Sequence, residues 1–207
     1  MTIFLLIRHA VHLLGSERIA GRLPDVHLSP RGQEQAQQLA KRLAPVPIRA
    51  LYCSPITRAQ ETAQPLAAQC GLPVQICDDI QELNYGDWTG RSLEELRPLE
   101  QWKQWNSFRS GARIPNGESM LEIQARIVSQ MQRFKEHHPN EVVALVSHGD
   151  VIKAAVAYCL GVPLDMFQRI EISPASVSIV GIADYGPWVL CVNNTNELGE
   201  LPSLTSS

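Results

Sequence analysis

The sequence lacks the features that mark a secreted, zinc-binding or membrane-spanning protein. Its five cysteines are an odd number and form no CxxC pair, so we expect reduced thiols in a cytoplasmic protein. No apolar run approaches the roughly 20 residues that cross a bilayer. The apolar residues 1–7 lack the basic region and cleavage site of a signal peptide, and they are predicted to form a buried strand. No carboxylate cluster has metal-ligand spacing, which argues against a metal-dependent enzyme.

An excess of charge of either sign is also missing. The chain has 18 lysines and arginines against 21 aspartates and glutamates, for a formal net charge of -3. Such a protein has no overall field to hold nucleic acid or an anionic membrane, so we predict neither as a partner. Any anion that it binds must be held by a local cluster of cations.

What is present is the pattern of a single α/β domain. A chain of 207 residues with 44% hydrophobic residues can bury one sizeable core. We assign residues 1–197 to this domain and the polar residues 198–207 to a flexible tail. Short apolar runs alternate with helical periodicity, which predicts a three-layer α/β/α fold with a mostly parallel central sheet. The predicted strands lie at residues 3–7, 50–53, 74–76, 142–146, 177–182 and 189–192.

Helix starts are marked by capping residues. Two Ser-Pro pairs, Ser29-Pro30 and Ser54-Pro55, predict helices that begin with serine as N-cap and proline in the first turn. Residues 116–119 precede a long helix, and another helix follows residues 147–150 and ends near residue 160. Weaker helical patterns extend to about residue 109.

Polar side chains suited to phosphate chemistry follow three of the predicted strands. Arg8 and His9 end the first strand, Ser54 and Arg58 follow the second, and His148 follows the strand at residues 142–146. In open α/β sheets the ligand crevice lies at the carboxyl ends of the strands. If these strands are parallel neighbours, the side chains of Arg8, His9, Arg58 and His148 meet there.

These residue types fit phosphoryl transfer. Arginine presents a planar fork of donors that matches phosphate oxygens. A neutral imidazole can carry a phosphoryl group as a covalent intermediate, and a second histidine kept protonated by bound phosphate would supply positive charge. Either Glu82 or Asp87, which lie among apolar and aromatic residues, offers an acid for the leaving oxygen. The residues alone do not choose between them.

Five motifs, in order over nearly the whole chain, resemble those of the histidine phosphatase superfamily, also called the phosphoglycerate-mutase-like family. They are Arg8-His9-Ala10, residues 51–63 (LYCSPITRAQETA), residues 82–90 (ELNYGDWTG), residues 115–119 (PNGES) and residues 146–149 (VSHG). The resemblance implies that His9 is the phosphorylated nucleophile and Glu82 the proton donor. It implies that the phosphoryl group is held by Arg8, Arg58 and His148. We also assign Gly149, Ser54, His12 and Arg22 to phosphate or substrate binding.

The chain departs from the family's pattern at three places. Ala10 replaces the usual glycine, so we expect an ordinary backbone angle there. His12 and Gly15 stand where the family often has a hydroxyl residue and an asparagine, and Ser54 or backbone donors are expected to replace those contacts. The long insertion that caps the site of true mutases is missing between Glu82 and Pro115. A more open site admits water and favours hydrolysis.

Other conspicuous side chains are predicted to be structural. Trp102, Trp105 and Phe108 recur at helical spacing, a pattern more typical of core or lid packing than of a substrate cage. His137 and His138 lie at the end of the long helix, where positive charge suits the helix dipole.

The sequence therefore predicts a phosphomonoesterase that needs no cofactor and acts on a small phosphorylated metabolite. A mutase that returns the phosphoryl group to its substrate is one alternative. A non-catalytic module that binds a phosphorylated ligand is another. The resemblance leaves a homodimer open, and the sequence does not name the substrate.

Overall fold

The computed structural model describes residues 1–198 and residue 201. Six strands are present, namely β1 (Thr2–Arg8), β2 (Ile48–Cys53), β3 (Val74–Ile76), β4 (Val142–Ser147), β5 (Val177–Ala183) and β6 (Gly186–Asn194). The α-helices are α1 (Pro30–Leu43), α2 (Thr57–Cys70), α3 (Leu93–Leu96), α4 (Glu100–Ser107), α5 (Met120–His137) and α6 (Gly149–Leu160). Short 3-10 helices lie at Asp78–Ile80, Gly86–Trp88 and Leu164–Arg169.

The sheet has the strand order β3-β2-β4-β1-β5-β6. The first four strands in this order are parallel. Strand β2 pairs with β3 on one side and with β4 on the other, and β4 pairs in turn with β1. Strand β5 is antiparallel to β1, and β6 is antiparallel to β5. The predicted α/β fold with a mostly parallel sheet is confirmed. The three strands with polar ends are adjacent, as the sequence analysis required.

Strand β1 shows why the sheet is covered on both faces. Its residues Ile3, Leu5 and Ile7 pack into a core shared with α1 and α2. The intervening Phe4 and Leu6 pack into the second core, shared with α5 and α6. Because successive side chains of a strand point to opposite faces, an apolar run without alternation requires helices on both sides. Burying each such side chain contributes about 1.5–3 kcal/mol.

The two Ser-Pro pairs behave differently. Ser29 caps α1 as predicted, since its hydroxyl accepts a hydrogen bond from Gly32 N at 3.1 Å. The helix start predicted at Ser54-Pro55 is wrong, because α2 begins at Thr57 and Ile56 is its N-cap. The hydroxyl of Ser54 instead lies 2.7 Å from Nε2 of His148, so this serine belongs to the strand end.

The remaining segments follow the predicted pattern. A capping box formed by Ser119 and Glu122 begins α5. Trp105 is buried and packs edge-on against Trp88, which supports the prediction of core packing, whereas Phe108 is half exposed. Leu198 packs partly against the core, and apart from residues 198 and 201 the predicted tail lies outside the described residues. Within the part of the chain that the structure describes, no helix is long and apolar enough to span a bilayer.

Candidate active site

Backbone hydrogen bonds hold the three strand ends in register. His9 N donates to Ser147 O at 2.9 Å, which extends the pairing of β1 and β4 by one residue. Ser54 N donates to Val146 O at 3.0 Å and does the same for β2. The side chains that follow these strands therefore converge on one buried cluster.

His9 is a neutral imidazole whose Nε2 carries no proton. Its Nδ1 lies 2.8 Å from Ala10 O, which fixes the ring proton on Nδ1. Its Nε2 accepts a hydrogen bond from Nε of Arg58 at 3.1 Å. Burial, and then the charges of Arg58 and Arg8, hold the pKa of His9 well below its usual range. Nε2 is thus unprotonated at neutral pH, which a nucleophile requires.

Arg58 is the central cation of the cluster, with only 1% of its surface exposed. Its Nη2 donates to Gly21 O at 2.8 Å and lies 3.3 Å from Nδ1 of His148. Its Nη1 is buried and has no hydrogen-bond partner among the described residues. Arg8, at the end of β1, donates from Nη1 to Ile172 O at 2.5 Å, and its Nε is likewise buried and has no partner among the described residues. Both guanidinium groups thus keep donors that an anion could use.

His148 is fully buried at the N-cap position of α6. Its Nε2 lies 2.7 Å from Oγ of Ser54, and its ring centroid lies 5.1 Å from that of His9. Burial, and next the charge of Arg58, hold the pKa of His148 well below its usual range. The imidazole is therefore neutral in the free site. The positive charge predicted for it requires the negative charge of a bound phosphate.

Glu82 lies at the edge of the same cluster. Its Oε2 is 3.7 Å from Nδ1 of His148 and 4.0 Å from Nη2 of Arg58. Burial, and then the charge of Asp150, raise the pKa of Glu82 to about 7, although Arg58 acts in the opposite direction. Asp87 is exposed and accepts hydrogen bonds from Nδ2 of Asn116. Of the two carboxyl groups left open by the residues, Glu82 is the one in the site.

A model of the histidine phosphatase superfamily (branch 1) matches residues 4–195 of the chain. This chain belongs to the histidine phosphatase superfamily. It is 30% identical over 202 residues to "Phosphoserine phosphatase 1" of Hydrogenobacter thermophilus, covering 97% of this chain and 96% of the relative. It is 32% identical over 186 residues to "Probable phosphoglycerate mutase GpmB" of Yersinia enterocolitica, covering 89% and 86%.

Solved structures show the same relationship. A mutant phosphoserine phosphatase from Entamoeba histolytica, in complex with phosphoserine, superimposes with a TM-score of 0.86 at 25% identity. The match covers 96% of this chain and all of the other. The resemblance stated from the motifs is confirmed, and the chain is a phosphatase of this superfamily.

The loop that carries Glu82 in this histidine phosphatase is fixed by an ion-pair network. Arg22 donates from Nε to Glu82 O at 2.7 Å and from Nη2 to Oε2 of Glu118 at 2.7 Å. The same carboxylate oxygen accepts from Asn84 N at 2.8 Å, and Arg126 donates to Gln81 O at 2.9 Å. Arg22 therefore supports the loop, and the phosphate contact assigned to it stays a prediction.

Glu118 is a residue of this network that the sequence analysis left without a role. Its signal in the sequence is its place in the motif at residues 115–119. A partly exposed carboxylate shared by Arg22 and Arg126, which come from distant segments, orders both of them. The position of Glu82 thus depends on Glu118.

A cavity of about 270 Å³ opens beside His9, and Arg8, His9, Ala10, Val11, His12, Gly15, Ser16 and Pro174 line it. The ring of His12 lies 5.4 Å from that of His9, and burial lowers the pKa of His12 to about 4, so this imidazole is neutral. Ala10 has an ordinary backbone angle, as predicted. Among the described residues, no group of three His, Cys, Asp or Glu side chains could hold a metal ion.

Gly149, the first residue of α6, lies against the guanidinium of Arg8. A Cβ atom at this position would lie 3.3 Å from Nε and 3.4 Å from Cζ of Arg8. Such contacts are tighter than ordinary van der Waals packing, so the glycine allows Arg8 to keep its place.

We predict that Gly149→Ala lowers kcat/KM about 10-fold, because displacing the Arg8 guanidinium weakens its grip on the transferring group; this corresponds to about 1.4 kcal/mol. Steady-state kinetics with p-nitrophenyl phosphate measure it. Gly71→Ala is the matched control: Gly71 ends α2 with φ 65° and has open space around it, so the change lowers stability by about 1 kcal/mol and leaves kcat/KM unaltered. An unchanged kcat/KM in Gly149→Ala would contradict this role.

Proposed function

We propose that this phosphatase hydrolyses a small phosphorylated metabolite through a covalent phosphohistidine on His9. The observation that carries the proposal is the unprotonated Nε2 of His9, which accepts a hydrogen bond from Arg58 inside a buried cluster of cations. An unprotonated nucleophile beside guanidinium donors that have no partner among the described residues fits a phosphate ester better than any other substrate class.

In the first half-reaction, Nε2 of His9 attacks phosphorus and the bond from phosphorus to the leaving oxygen breaks. Glu82 gives its proton to that oxygen, because a carboxyl group with a pKa of about 7 is protonated in large part at neutral pH. Arg8 and Arg58 stabilise the charge on the equatorial oxygens. His148 joins them once the phosphoryl charge has drawn a proton onto its ring.

In the second half-reaction, water attacks the phosphoryl group on the opposite side from His9. The carboxylate of Glu82 takes a proton from this water, the nitrogen–phosphorus bond breaks, and inorganic phosphate leaves. His9 is then neutral again, and Glu82 has recovered the proton that it gave away. The cycle needs no metal or organic cofactor.

Hydrolysis and the mutase reaction differ only in the acceptor that attacks the phosphohistidine, which is water in hydrolysis and the substrate in a mutase. The mutase alternative draws support from the 32% identical relative named as a phosphoglycerate mutase. Against it stands the short segment between Glu82 and Pro115, whose Trp88 and Trp105 are buried in the core and add no long cap over His9. We therefore propose hydrolysis.

Location and assembly are part of the proposal. The five cysteines lie in the described part of the chain and none forms a disulfide, which supports a cytoplasmic location. The homodimer left open by the sequence stays a prediction. So does the substrate, which a phosphate-release screen over phosphoserine, phosphoglycerates, sugar phosphates and nucleotides would identify.

We predict that His9→Ala abolishes the phosphoenzyme and lowers turnover by at least about 10³-fold, because no other described group offers a nucleophile at that position. The measurement is acid-labile radiolabel bound to protein after rapid quenching with a ³²P-labelled substrate. His137→Ala is the matched control, since His137 is remote and bonds Arg133 O. A phosphoenzyme that survives His9→Ala would overturn the assignment.

With 3-phosphoglycerate, we predict glycerate and inorganic phosphate as products, because an uncapped phosphohistidine reacts with water. Phosphorus NMR of the reaction mixture distinguishes these products from 2-phosphoglycerate. Accumulation of 2-phosphoglycerate with little free phosphate would establish the mutase instead. Phosphate binding without turnover on any substrate of the screen would support the non-catalytic module.

A further inference from the structure

A buried threonine links the two sides of the His9 ring. Thr62 lies in α2, one turn beyond Arg58, and none of its surface is exposed. Its hydroxyl donates to Arg58 O at 2.7 Å and accepts a hydrogen bond from Ala10 N at 3.0 Å. The second of these bonds spans 52 positions of the chain and joins α2 to the residue that follows the nucleophile. The half-reactions above assign Thr62 no part.

The Ala10 end of this link controls the proton of the His9 ring. Ala10 O accepts the hydrogen bond from Nδ1 of His9 at 2.8 Å, and Ala10 is fully buried. The acceptor for its N–H is Thr62 Oγ1. A buried N–H that loses its acceptor is costly, so the surrounding backbone shifts towards another partner. Thr62 therefore holds in place the residue whose carbonyl keeps the proton on Nδ1.

The Arg58 end of the link faces the other ring nitrogen. Nε of Arg58 donates to Nε2 of His9 at 3.1 Å. The carbonyl that accepts from the Thr62 hydroxyl belongs to the same arginine. One hydroxyl thus connects the backbones of the two residues that contact the imidazole nitrogens, and it fixes them relative to each other.

We propose that Thr62 is a positioning residue that fixes the tautomer of His9, with the proton on Nδ1 and with Nε2 unprotonated and directed at phosphorus. The inference rests on the proposed role of His9 as nucleophile, and it names the group that prepares His9 for this role.

The alternative tautomer shows why such a group matters. With its proton on Nε2, the ring would turn a second donor towards the Nε–H of Arg58. The attacking atom would also lack the electron pair that forms the bond to phosphorus. Which nitrogen carries the proton is set by the hydrogen bond that the ring makes, here the bond to Ala10 O. A shift of Ala10 would weaken that bond and admit the unreactive tautomer.

Support for α2 alone does not account for these contacts. A threonine in a helix commonly donates to the carbonyl four residues earlier, but this bond slightly destabilises the helix. Arg58 O lies within α2, where the backbone N–H four residues later is its regular partner. The bond from Ala10 N is the one that the helix does not need. It serves the segment that carries His9.

The test is Thr62→Val, which keeps the shape of the side chain and removes its hydroxyl. Nitrogen-15 NMR of the His9 ring, assigned with His9→Ala, shows at neutral pH which nitrogen is protonated, without any substrate. We expect the Nδ1–H tautomer in the wild type and about 20% or more of the Nε2–H tautomer in Thr62→Val. A variant whose ring stays in the Nδ1–H form would overturn the proposal.

Kinetics separate an effect on the ring from an effect on the anion-binding arginines. We expect kcat/KM with p-nitrophenyl phosphate to fall about 10-fold in Thr62→Val, because attack needs both the electron pair and the in-line position of the ring. The inhibition constant of inorganic phosphate should change less than about threefold, since Arg8 and Arg58 still hold this anion. An equal loss in both quantities would contradict the proposal, because it would show that the arginines have moved.

Three further variants separate this role from folding. Thr62→Ser keeps the hydroxyl and should restore the wild-type tautomer, with kcat/KM within about threefold of the wild type. Thr2→Val is the matched control: Thr2 is buried at the other end of β1 and donates to His138 O at 2.8 Å, so its loss should leave the His9 spectrum unchanged. An equal shift in Thr2→Val would refute a specific role. If Thr62→Val does not fold, Thr62→Ala removes the same hydroxyl with less bulk, and the same spectrum decides.

The proposed function can fail separately from this inference. If Thr62→Val shifts the tautomer while the wild type forms no phosphoenzyme from any substrate of the screen, the positioning role stands and the proposed function fails. If the wild type forms the phosphoenzyme and the tautomer of Thr62→Val is unchanged, the positioning role fails and the proposed function stands.

Discussion

The buried guanidinium of Arg58 is the group on which the site depends. It touches His9, His148 and the backbone of Gly21, and it lies within 4.0 Å of Glu82. A cation so far from water is costly unless hydrogen bonds and opposite charge compensate for it. Its Nη1 has no hydrogen-bond partner among the described residues. A bound phosphate would supply both this partner and the negative charge that offsets the cost of burial. Burial, and then the same charge, keeps the pKa of both imidazoles low, so Arg58 contributes both to the nucleophile and to the anion-binding surface.

The chain as a whole has no positive electrostatic field that would attract an anion, since its formal net charge is -3. Within the described residues, the ends of β1, β2 and β4 bring cations together, a consequence of parallel pairing with β4 between β1 and β2. Protonation states then divide by position. Histidines buried among arginines stay neutral, while Glu82, shielded from water, holds a proton near neutral pH. The site thus has a neutral base and a neutral acid available at once, which the two half-reactions need.

Much of this arrangement could be predicted from the sequence, because it depends on local patterns. Apolar runs located the strands, and strand ends located Arg8, His9 and His148. The network around Glu82 could not be predicted, because its partners are far apart in the chain: Arg22 reaches Glu82 and Glu118 across 60 and 96 positions. No periodicity encodes such pairs. Ser54 illustrates the other failure, since a Ser-Pro pair often begins a helix, whereas here α2 begins at Thr57 and the Ser54 hydroxyl lies 2.7 Å from Nε2 of His148.

The central claim is that the phosphoryl group passes through Nε2 of His9 before it reaches water. Two successive in-line displacements invert phosphorus twice, whereas direct attack by water inverts it once. The stereochemical course at phosphorus measures this directly, when the substrate is a phosphorothioate that carries sulfur and two oxygen isotopes and the attacking water supplies the third isotope. Our account predicts net retention of configuration. Net inversion would show that water attacks the substrate itself, and it would contradict a phosphohistidine on the pathway.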